Sequence, residues 1–407
     1  MSAIFDSLRR NPRYSQLPEP SRSSARGTNA FNKDMSKHMR AVGVVPTRKE
    51  VRMLEHPSPA LHQPSQVKIR TLDVGICGTD REICTFVYGA PPSGSDYLVL
   101  GHEALGEVIE VGSEVRRFKL GDLVVPSVRR PCPAPSCVPC RQDRQDFCST
   151  WTFTERGINQ YHGYMTECFV DDEKFLTYVP NQLRDIAVLV EPLTVAEKGL
   201  AQVWKTQQRL PWGSAKAGEP RGKGLTAVVL GAGPVGILGA MALVVNGFKT
   251  YVYSRSRKPN FKADLVESFG VEYISSEEMT PEDLAMKVGS VDLIYEAVGV
   301  PSITFEMLRV LGINGIYVMT GIPAPKAPIP VAASEIMRNV VLKNQAIVGT
   351  VNADADAFTH AIKDLEIFNQ RWPQAVRQLI TSRSRIDGYR DLLVGKATGI
   401  KNVISFD

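Results

Sequence analysis

A glycine-rich turn near the middle of the chain restricts its fold more than any other feature. The turn follows an apolar segment at 226–230, precedes a helical pattern, and reads Gly231-Ala232-Gly233-Pro234-Val235-Gly236. In such a strand–turn–helix unit the first glycine forms the tight turn, the second lets the backbone approach a pyrophosphate, and the third lets helix and strand pack closely. The helix N-terminus adds unpaired N–H groups for the phosphates. The motif therefore predicts a Rossmann domain that binds a dinucleotide; a glycine-rich turn without a ligand is the alternative.

The end of the second strand of this unit indicates which dinucleotide binds. Sites for NAD usually carry an acid about 20 residues beyond the glycines, where it binds the ribose 2′-hydroxyl. Here the segment is Tyr253-Ser254-Arg255-Ser256-Arg257, without an acid. Arginine neutralises a 2′-phosphate and binds it with two hydrogen bonds. We therefore expect Ser254, Arg255 and Arg257 to favour NADP, with NAD as a second cofactor; two solvated loop arginines are the alternative.

The chain as a whole shows two folding patterns. Its second half alternates apolar strands with helical segments, as βαβ units of a parallel sheet do. Its first half consists of short apolar segments separated by Gly and Pro, which is typical of a strand-rich, barrel-like domain. Another helix is predicted at 356–368. We therefore expect an α/β protein with a barrel-like catalytic domain (39–195 and 352–407) and a doubly wound Rossmann domain (196–351).

The N-terminal segment fits neither pattern. Residues 1–38 are rich in Ser, Arg, Pro and Asn without sustained periodicity, which predicts a disordered tail; an Arg- and Ser-rich targeting peptide is the competing interpretation. Residues 1–40 hold eight of the 48 Lys and Arg and three of the 43 Asp and Glu, so the rest carries 40 of each charge. The formal charge of +5 thus lies in residues 1–40, and we expect no nucleic-acid partner.

Hydropathy and cysteine use indicate the compartment. No apolar run reaches the roughly 18 residues that span a bilayer, and the N-terminus lacks the apolar core of a secretion signal. We therefore expect a cytoplasmic protein with no membrane partner. In that setting clustered cysteines indicate metal binding rather than disulfides. The seven cysteines are Cys77, Cys84, Cys132, Cys137, Cys140, Cys148 and Cys168, and the four from Cys132 to Cys148 fall within seventeen residues.

The cysteine cluster predicts a structural zinc site. Four thiolates form closed tetrahedral sites that contribute folding energy. The spacers between Cys132, Cys137, Cys140 and Cys148 are four, two and seven residues. Free thiols are one alternative. A nucleic-acid zinc module is another, because arginines flank the cluster, but Asp143 and Asp146 interrupt that positive segment.

Three further residues have the chemistry of a catalytic zinc site. Cys77 follows one predicted strand in the segment ICGTD, and His102 and Glu103 end another about 25 residues later. A thiolate, an imidazole and a carboxylate suit Zn²⁺, which needs three protein ligands and an open position to act as a Lewis acid. Spacing alone does not bring them together, since a lone Cys is usually a small apolar residue.

The motifs together resemble the medium-chain zinc alcohol dehydrogenase superfamily. They are Cys77 with its GTD, the GHE at 101–103, the cysteine cluster and GAGPVG. The segments DYLVLGHE (96–103), RRPC (129–132), TERGI (154–158) and VEPL (190–193) are most similar to its glucose dehydrogenase branch. The resemblance covers roughly residues 39–407, and it implies a GroES-like catalytic domain beside the Rossmann domain.

The resemblance also implies roles for individual residues. Cys77 and His102 are expected to bind the catalytic zinc, with Glu103 in or just outside the coordination sphere. Glu191 is similar to the carboxylate that completes or exchanges at the metal, and Thr79 to a hydroxyl that binds the substrate oxygen. Residues expected at the sugar or the nicotinamide end of the cofactor are Glu155, Asn352, Thr320 and Gly321.

A reaction follows from that residue set. Zinc lowers the pKa of a bound substrate hydroxyl, and the carbon that carries this hydroxyl transfers hydride to nicotinamide. Oxidation of glucose at C1 would therefore give the lactone. Two alternatives remain: a polyol, alcohol or threonine dehydrogenase of the same superfamily, and a non-catalytic nucleotide-binding member. The resemblance further implies a homodimer or homotetramer.

Overall fold

The computed structural model describes residues 38–210, 219–324, 327–396 and 398–406. The tail predicted at 1–38 therefore lies outside the described residues, apart from His38, which begins the first strand. Within the described part, no helix combines the length and the apolar character needed to cross a membrane.

The N-terminal part folds mainly as β-structure. A seven-stranded sheet dominates it. One strand, Gln66–Gly75, pairs with three others, and most of its residues are buried. The strands and helices of this part are β1 His38–Val45, β2 Glu50–Pro57, β3 Gln66–Gly75, α1 Gly78–Ile83, β4 Leu98–Val99, β5 Glu103–Val111, β6 Leu123–Pro126, β7 Arg129–Arg130, α2 Val138–Arg141, β8 Thr154–Arg156, β9 Gln160–Tyr161, β10 Cys168–Asp172 and β11 Leu176–Val179.

The middle of the chain forms a six-stranded parallel sheet. Its elements follow the linking helix α3 Val190–Gln207 and are β12 Thr226–Leu230, α4 Pro234–Val245, β13 Lys249–Ser254, α5 Phe261–Ser268, β14 Glu272–Ser275, α6 Pro281–Val288, β15 Val291–Glu296, α7 Pro301–Val310, β16 Leu311–Met319, α8 Ala333–Leu342 and β17 Ala346–Gly349. The strand order is β14-β13-β12-β15-β16-β17, the doubly wound Rossmann order. Segments such as TAVVL in β12 are apolar throughout because helices cover both faces of a parallel sheet.

The C-terminal part returns to the first sheet. Its elements are α9 Ala355–Arg371, α10 Pro373–Gln378, β18 Ile380–Arg385, α11 Tyr389–Leu393 and β19 Lys401–Ser405. Strand β19 pairs antiparallel with β3, and Val403 faces Gly75. The predicted helix at 356–368 is confirmed and is longer than expected. The expected α/β class, with a strand-rich domain interrupted by a Rossmann domain, is confirmed.

Helix α3 links the two domains. It runs without interruption from Val190 to Gln207, so the division predicted between residues 195 and 196 falls inside a helix. A core cluster that includes side chains of α4, β15 and α9 also contains five residues of this helix: Val190, Leu193, Ala196, Leu200 and Val203. The domain limits stay a prediction, because one continuous helix contributes to the packing of both parts.

Candidate active site and metal centres

Strand register brings together the three residues proposed for the catalytic metal. Strands β3 and β5 pair antiparallel with Gly75 opposite Glu103. Cys77, just beyond β3, therefore lies beside His102, just before β5. The ligand atoms of Cys77, His102 and Glu103 all lie within 4.8 Å of one another. Spacing along the chain could not show this proximity, because it depends on which strands pair and in which register.

Asp80 holds the two strand ends in place. Its Oδ2 accepts a hydrogen bond of 2.9 Å from the Cys77 backbone N–H, and its Oδ1 accepts one of 3.1 Å from Gly101. The same Oδ1 lies 3.5 Å from His102 Nδ1. Burial disfavours a charged His102 ring, but Asp80 and the Cys77 side chain outweigh burial and raise the pKa of His102 well above its ordinary value. Sequence reasoning missed Asp80, although its position three residues after Cys77 is the spacing of a capping box.

Lys401 is a second residue that sequence reasoning missed. Its Nζ donates to both carboxylate oxygens of Glu103, at 2.7 and 2.5 Å, and to the carbonyl of Ile76 at 3.2 Å. The Lys401 side chain is only 2% exposed. Burial opposes its charge, but Glu103 and the Cys77 side chain outweigh burial and raise the pKa of Lys401. No local pattern marks this lysine, which begins the last strand.

Glu191 lies outside this group of ligand atoms, and Thr79 is near it along the chain. Glu191 is in the first turn of α3 and is not part of the compact set of ligand atoms formed by Cys77, His102 and Glu103. Burial, with help from the neighbouring carboxylate of Glu103, raises the pKa of Glu191 to about 7, while the charge of His102 opposes that shift. Thr79 is half-buried in α1, two residues after Cys77.

The donor set fits zinc. It offers sulfur, nitrogen and oxygen at one point, as catalytic zinc sites with an open position do. The Nδ1 atom of His102 is buried and makes no hydrogen bond in the described structure. A buried nitrogen without a hydrogen-bond partner destabilises the fold. A metal bound by the imidazole ring would supply a partner for this nitrogen or turn the ring so that it finds one.

The cysteine cluster fits a second zinc. The sulfur atoms of Cys132, Cys137, Cys140 and Cys148 lie within 4.8 Å of one another, and all four residues are buried. The Sγ atoms of Cys137 and Cys148 are 3.8 Å apart, and a tetrahedron with Zn–S bonds of about 2.3 Å requires about 3.8 Å. The four-residue spacer after Cys132 therefore does not prevent its sulfur from reaching the others.

Glu155 and Asn352, both expected at the substrate, contact each other. Asn352 Nδ2 donates to Glu155 Oε1 at 2.7 Å, although the two residues lie on different segments of the fold. Arg129 also donates to this oxygen through Nε at 3.0 Å, and its Nη2 lies 3.0 Å from the same oxygen. Asn352 has a φ of 62°, the left-handed region that Asn tolerates better than most residues.

The glycine turn has the geometry that a dinucleotide requires. Gly231 has a φ of 102°, which favours glycine. A Cβ atom at Gly236 would lie 2.1 Å from the Gly231 carbonyl oxygen, whereas one at Gly233 would meet no atom within 4 Å. Gly236 thus permits close packing of α4 on β12, and the open space at Gly233 leaves room for a pyrophosphate at the helix N-terminus. Pro234 and Val235 begin α4.

Glu296 joins two loops of the cofactor cleft and was also missed. The side chain is buried at the end of β15. Its Oε1 accepts hydrogen bonds from the backbone N–H groups of Val298, at 2.8 Å, and Gly299, at 2.6 Å, and its Oε2 accepts one from Gly321 at 3.1 Å. Thr320 Oγ1 donates to the Glu296 carbonyl at 2.7 Å. Glu296 therefore holds both predicted cofactor residues, Thr320 through its backbone carbonyl and Gly321 through its carboxylate.

The arginines expected to bind a 2′-phosphate lie together at the end of β13. The side chains of Arg255 and Arg257 are 89% and 64% exposed, and both face Glu277, at 3.4 and 3.7 Å. Such exposed pairs are weak, so the guanidinium groups remain accessible to a phosphate. Ser254 is the last residue of β13.

Comparison with known proteins places the chain in a family. Residues 63–181 match the alcohol dehydrogenase GroES-like domain, and residues 184–406 match the glucose dehydrogenase C-terminus. The fold and the site thus define a medium-chain dehydrogenase of the zinc alcohol dehydrogenase superfamily, and the predicted resemblance is confirmed. Within that superfamily the chain belongs to the glucose dehydrogenase family.

Individual relatives extend over nearly the whole chain. The glucose 1-dehydrogenase of Methanocella arvoryzae is 35% identical over 90% of this chain and 99% of its own length. The glucose 1-dehydrogenase of Thermoproteus tenax is 38% identical with the same coverage. The solved structure titled Haloferax mediterranei glucose dehydrogenase in complex with NADP, Zn and gluconolactone has a TM-score of 0.81 and 31% identity, and the match covers 91% of this chain and 99% of that one.

Proposed function

We propose that the chain is a zinc-dependent dehydrogenase that oxidises C1 of glucose to the lactone with NADP. The observation that carries the proposal is the compact set formed by Cys77, His102 and Glu103 in a chain whose second domain has a dinucleotide turn. The Haloferax relative whose structure holds NADP, Zn and gluconolactone supports the substrate and both cofactors. When bound, zinc supplies a Lewis acid for the sugar hydroxyl and NADP accepts the hydride.

The chain's own residues hold and orient these groups. Cys77 and His102 would hold the metal. Asp80 fixes the backbone of Cys77 and that of Gly101, the residue before His102. Lys401 donates to both oxygens of Glu103 and fixes the orientation of this carboxylate, which would lie in or next to the coordination sphere. Fixed charges of this kind stabilise a reacting centre without reorganisation during the reaction.

Glu155 and Asn352 would bind the sugar. A carboxylate and an amide together accept and donate hydrogen bonds, which suits a polyhydroxylated ring. Arg129 holds the Glu155 side chain in one orientation. Thr79 adds a hydroxyl beside Cys77, and Glu191 adds a carboxyl at the same end of the site.

NADP would be preferred over NAD. Arg255 and Arg257 supply two guanidinium groups where NAD sites usually have an acid. Glu277 draws the two arginines toward each other and partly neutralises them, so NAD is expected to serve as a weaker second cofactor. The remaining cofactor contacts would come from the glycine turn and from Thr320 and Gly321.

The protein is further proposed to act as a homo-oligomer in the cytoplasm. Helix α8 has no fully buried residue, and its Met337, Val341 and Leu342 are between 66% and 72% exposed. Strand β17 lies at the edge of the sheet, with Ile347 exposed. Exposed apolar patches and sheet edges favour association, so a second copy would cover this surface. The seven cysteines, all within the described residues, form no disulfide, which suits a reducing compartment.

Initial rates on glucose, galactose, xylose, sorbitol and the amino alcohol threonine, with NADP and with NAD, test the activity. We expect glucose with NADP to give the highest kcat/KM, and a chelator to abolish turnover. Replacing Cys77 or His102 by Ala should lower kcat by a factor of 100 or more. A preference for sorbitol or an amino alcohol would support the polyol or threonine dehydrogenase alternative, and zinc and NADPH binding without turnover would support a non-catalytic member.

A further inference from the structure

The cysteine cluster continues into a segment that faces the cofactor cleft. Asp146 and Phe147 precede Cys148, and they line a cavity of about 350 Å³ together with Lys198, Thr320, Gly321 and Val351. The loop that carries the four thiols therefore supplies one wall of the space next to the predicted nicotinamide loop. A structural metal lobe that served only local stability would not need to reach this cavity.

Asp146 is the centre of a buried ionic network. Its side chain has no exposed surface. Arg144 donates to both of its carboxylate oxygens, at 3.0 and 2.8 Å, and Lys198 Nζ lies 3.0 Å from its Oδ2. Asp146 thus ties the cysteine lobe to helix α3.

Lys198 extends this network to the segment that returns to the catalytic domain. Its side chain is 3% exposed, and Nζ donates to the Val351 carbonyl at 2.7 Å. The ammonium also lies 4.5 Å from the centre of the Phe147 ring, a distance at which a cation and an aromatic face attract. The buried ammonium therefore has partners from the lobe and from the residue before Asn352.

Arg144 makes a parallel connection on the other side of Asn352. Its Nε lies 3.2 Å from Asp354 Oδ2, while Asp354 Oδ1 caps α9 by accepting from Ala357 at 3.0 Å. Residues 351 and 354 are therefore both bonded to the same network. Between them Asn352 has a left-handed φ of 62° and donates to Glu155. Arg129 contacts Glu155 as well. Arg129 also donates to the Asp146 carbonyl at 3.3 Å.

We propose that Lys198 and Asp146 are positioning residues that hold segment 351–354 so that Asn352 meets the substrate and the nicotinamide end of the cofactor. The proposal rests on the proposed role of Asn352 in binding. The loop between Cys140 and Cys148 is thereby a structural support of the active site. Loss of the Lys198 bond frees the Val351 carbonyl and lets Asn352 leave the left-handed region.

A double-mutant cycle between Lys198 and Asn352 tests the coupling. We expect Lys198→Met and Asn352→Ala each to raise the KM for glucose at least tenfold, with a smaller effect on kcat. If Lys198 acts through Asn352, the KM of the double variant for glucose should equal that of Asn352→Ala within about twofold. Lys198→Arg should recover part of the loss, and Lys223→Met, an exposed lysine paired with Glu219, should change nothing.

Each other result counts against one specific claim. The coupling would be overturned if the increases in KM of the two single variants multiplied in the double variant. It would also be overturned if Lys198→Met left KM unchanged while Asn352→Ala raised it. An unchanged KM in Asn352→Ala would instead refute the proposed role of Asn352. Zinc content and an NADPH fluorescence titration are measured on every variant. If Lys198→Met does not fold, Asp146→Asn replaces it in the same cycle, with the same expectations.

Discussion

Lys401 Nζ lies 2.7 and 2.5 Å from the two carboxylate oxygens of Glu103, across 298 positions of sequence. Both side chains are 2% exposed, so neither charge has water to replace its partner. Removing one member of such a pair typically costs about 3–5 kcal/mol, because the other charge stays buried and unpaired. The pair therefore fixes the last strand against the residues proposed for the metal.

Lys401→Met is expected to lower the free energy of unfolding by about 3–5 kcal/mol. The double variant Lys401→Met/Glu103→Gln should regain a large part of that loss, because no buried charge then remains unpaired. Denaturant midpoints of the zinc-loaded protein measure both effects. A single variant as stable as the original chain would show that the pair contributes little.

Glu296→Ala should weaken cofactor binding by a factor of ten or more. The substitution leaves the N–H groups of Val298, Gly299 and Gly321 without their acceptor, and each lost hydrogen bond to a charged group costs about 1.5–3 kcal/mol. The two loops are then free to separate. Titration of NADPH fluorescence measures the Kd. Glu296→Gln, which keeps one acceptor oxygen, should give an intermediate value; a Kd unchanged in both would contradict the role.

Arg255→Ala/Arg257→Ala should reduce the preference for NADP. We expect kcat/KM with NADP to fall at least tenfold and that with NAD to change less than twofold, because NAD has no 2′-phosphate for the guanidinium groups to bind. Glu277→Gln should act in the opposite direction, since it removes the charge that both arginines face. Equal losses of kcat/KM with NADP and with NAD would show that the two arginines do not determine cofactor specificity.

The pH dependence of stability should report a buried carboxyl pair. Burial and the neighbouring Asp364 raise the pKa of Glu197 from its ordinary value of 4.5 to about 9, and Asp364 in turn faces His360 and Arg371. Below pH 4.5 both the folded and the unfolded state bind the proton. Between pH 4.5 and about 9 only the folded state keeps it, so stability falls as the pH rises.

Glu197→Gln should remove that component. The free energy of unfolding of the variant should fall less with rising pH than that of the original chain. The difference between the two slopes is expected to reach up to about 1.4 kcal/mol per pH unit. Guanidinium unfolding at several pH values measures the slope, with the exposed Glu278→Gln as control. A variant with the same slope as the original chain would place the titration elsewhere.

Val341→Asp should disrupt the proposed oligomer. The substitution places a charge among the exposed apolar side chains of α8, where a second copy would have to bury it. Light scattering after size exclusion should show a mass near one chain for the variant and a multiple of it for the original protein. A monomeric original chain would refute the proposed association.

Local sequence determined much of this protein. The glycine turn, the four-cysteine cluster and the alternation of strand and helix depend on contacts between near neighbours. Gly236 accordingly packs against Gly231, and the four thiols lie together. Asp80 was equally local and could have been found from its capping spacing. These features are readable because φ preferences and hydrogen bonds across a few residues decide them.

Tertiary structure alone decided the rest. The proximity of Cys77 and His102 comes from the register of β3 with β5. The bond of Lys401 to Glu103 comes from the pairing of β19 with β3, and Lys198 reaches Val351 only because α3 links the domains. Strand pairing and helix packing join distant segments through burial of their apolar faces, and that driving force has no direction along the chain. A sequence pattern therefore indicates which side chains have the right chemistry, and the packing of the whole fold decides which of them meet.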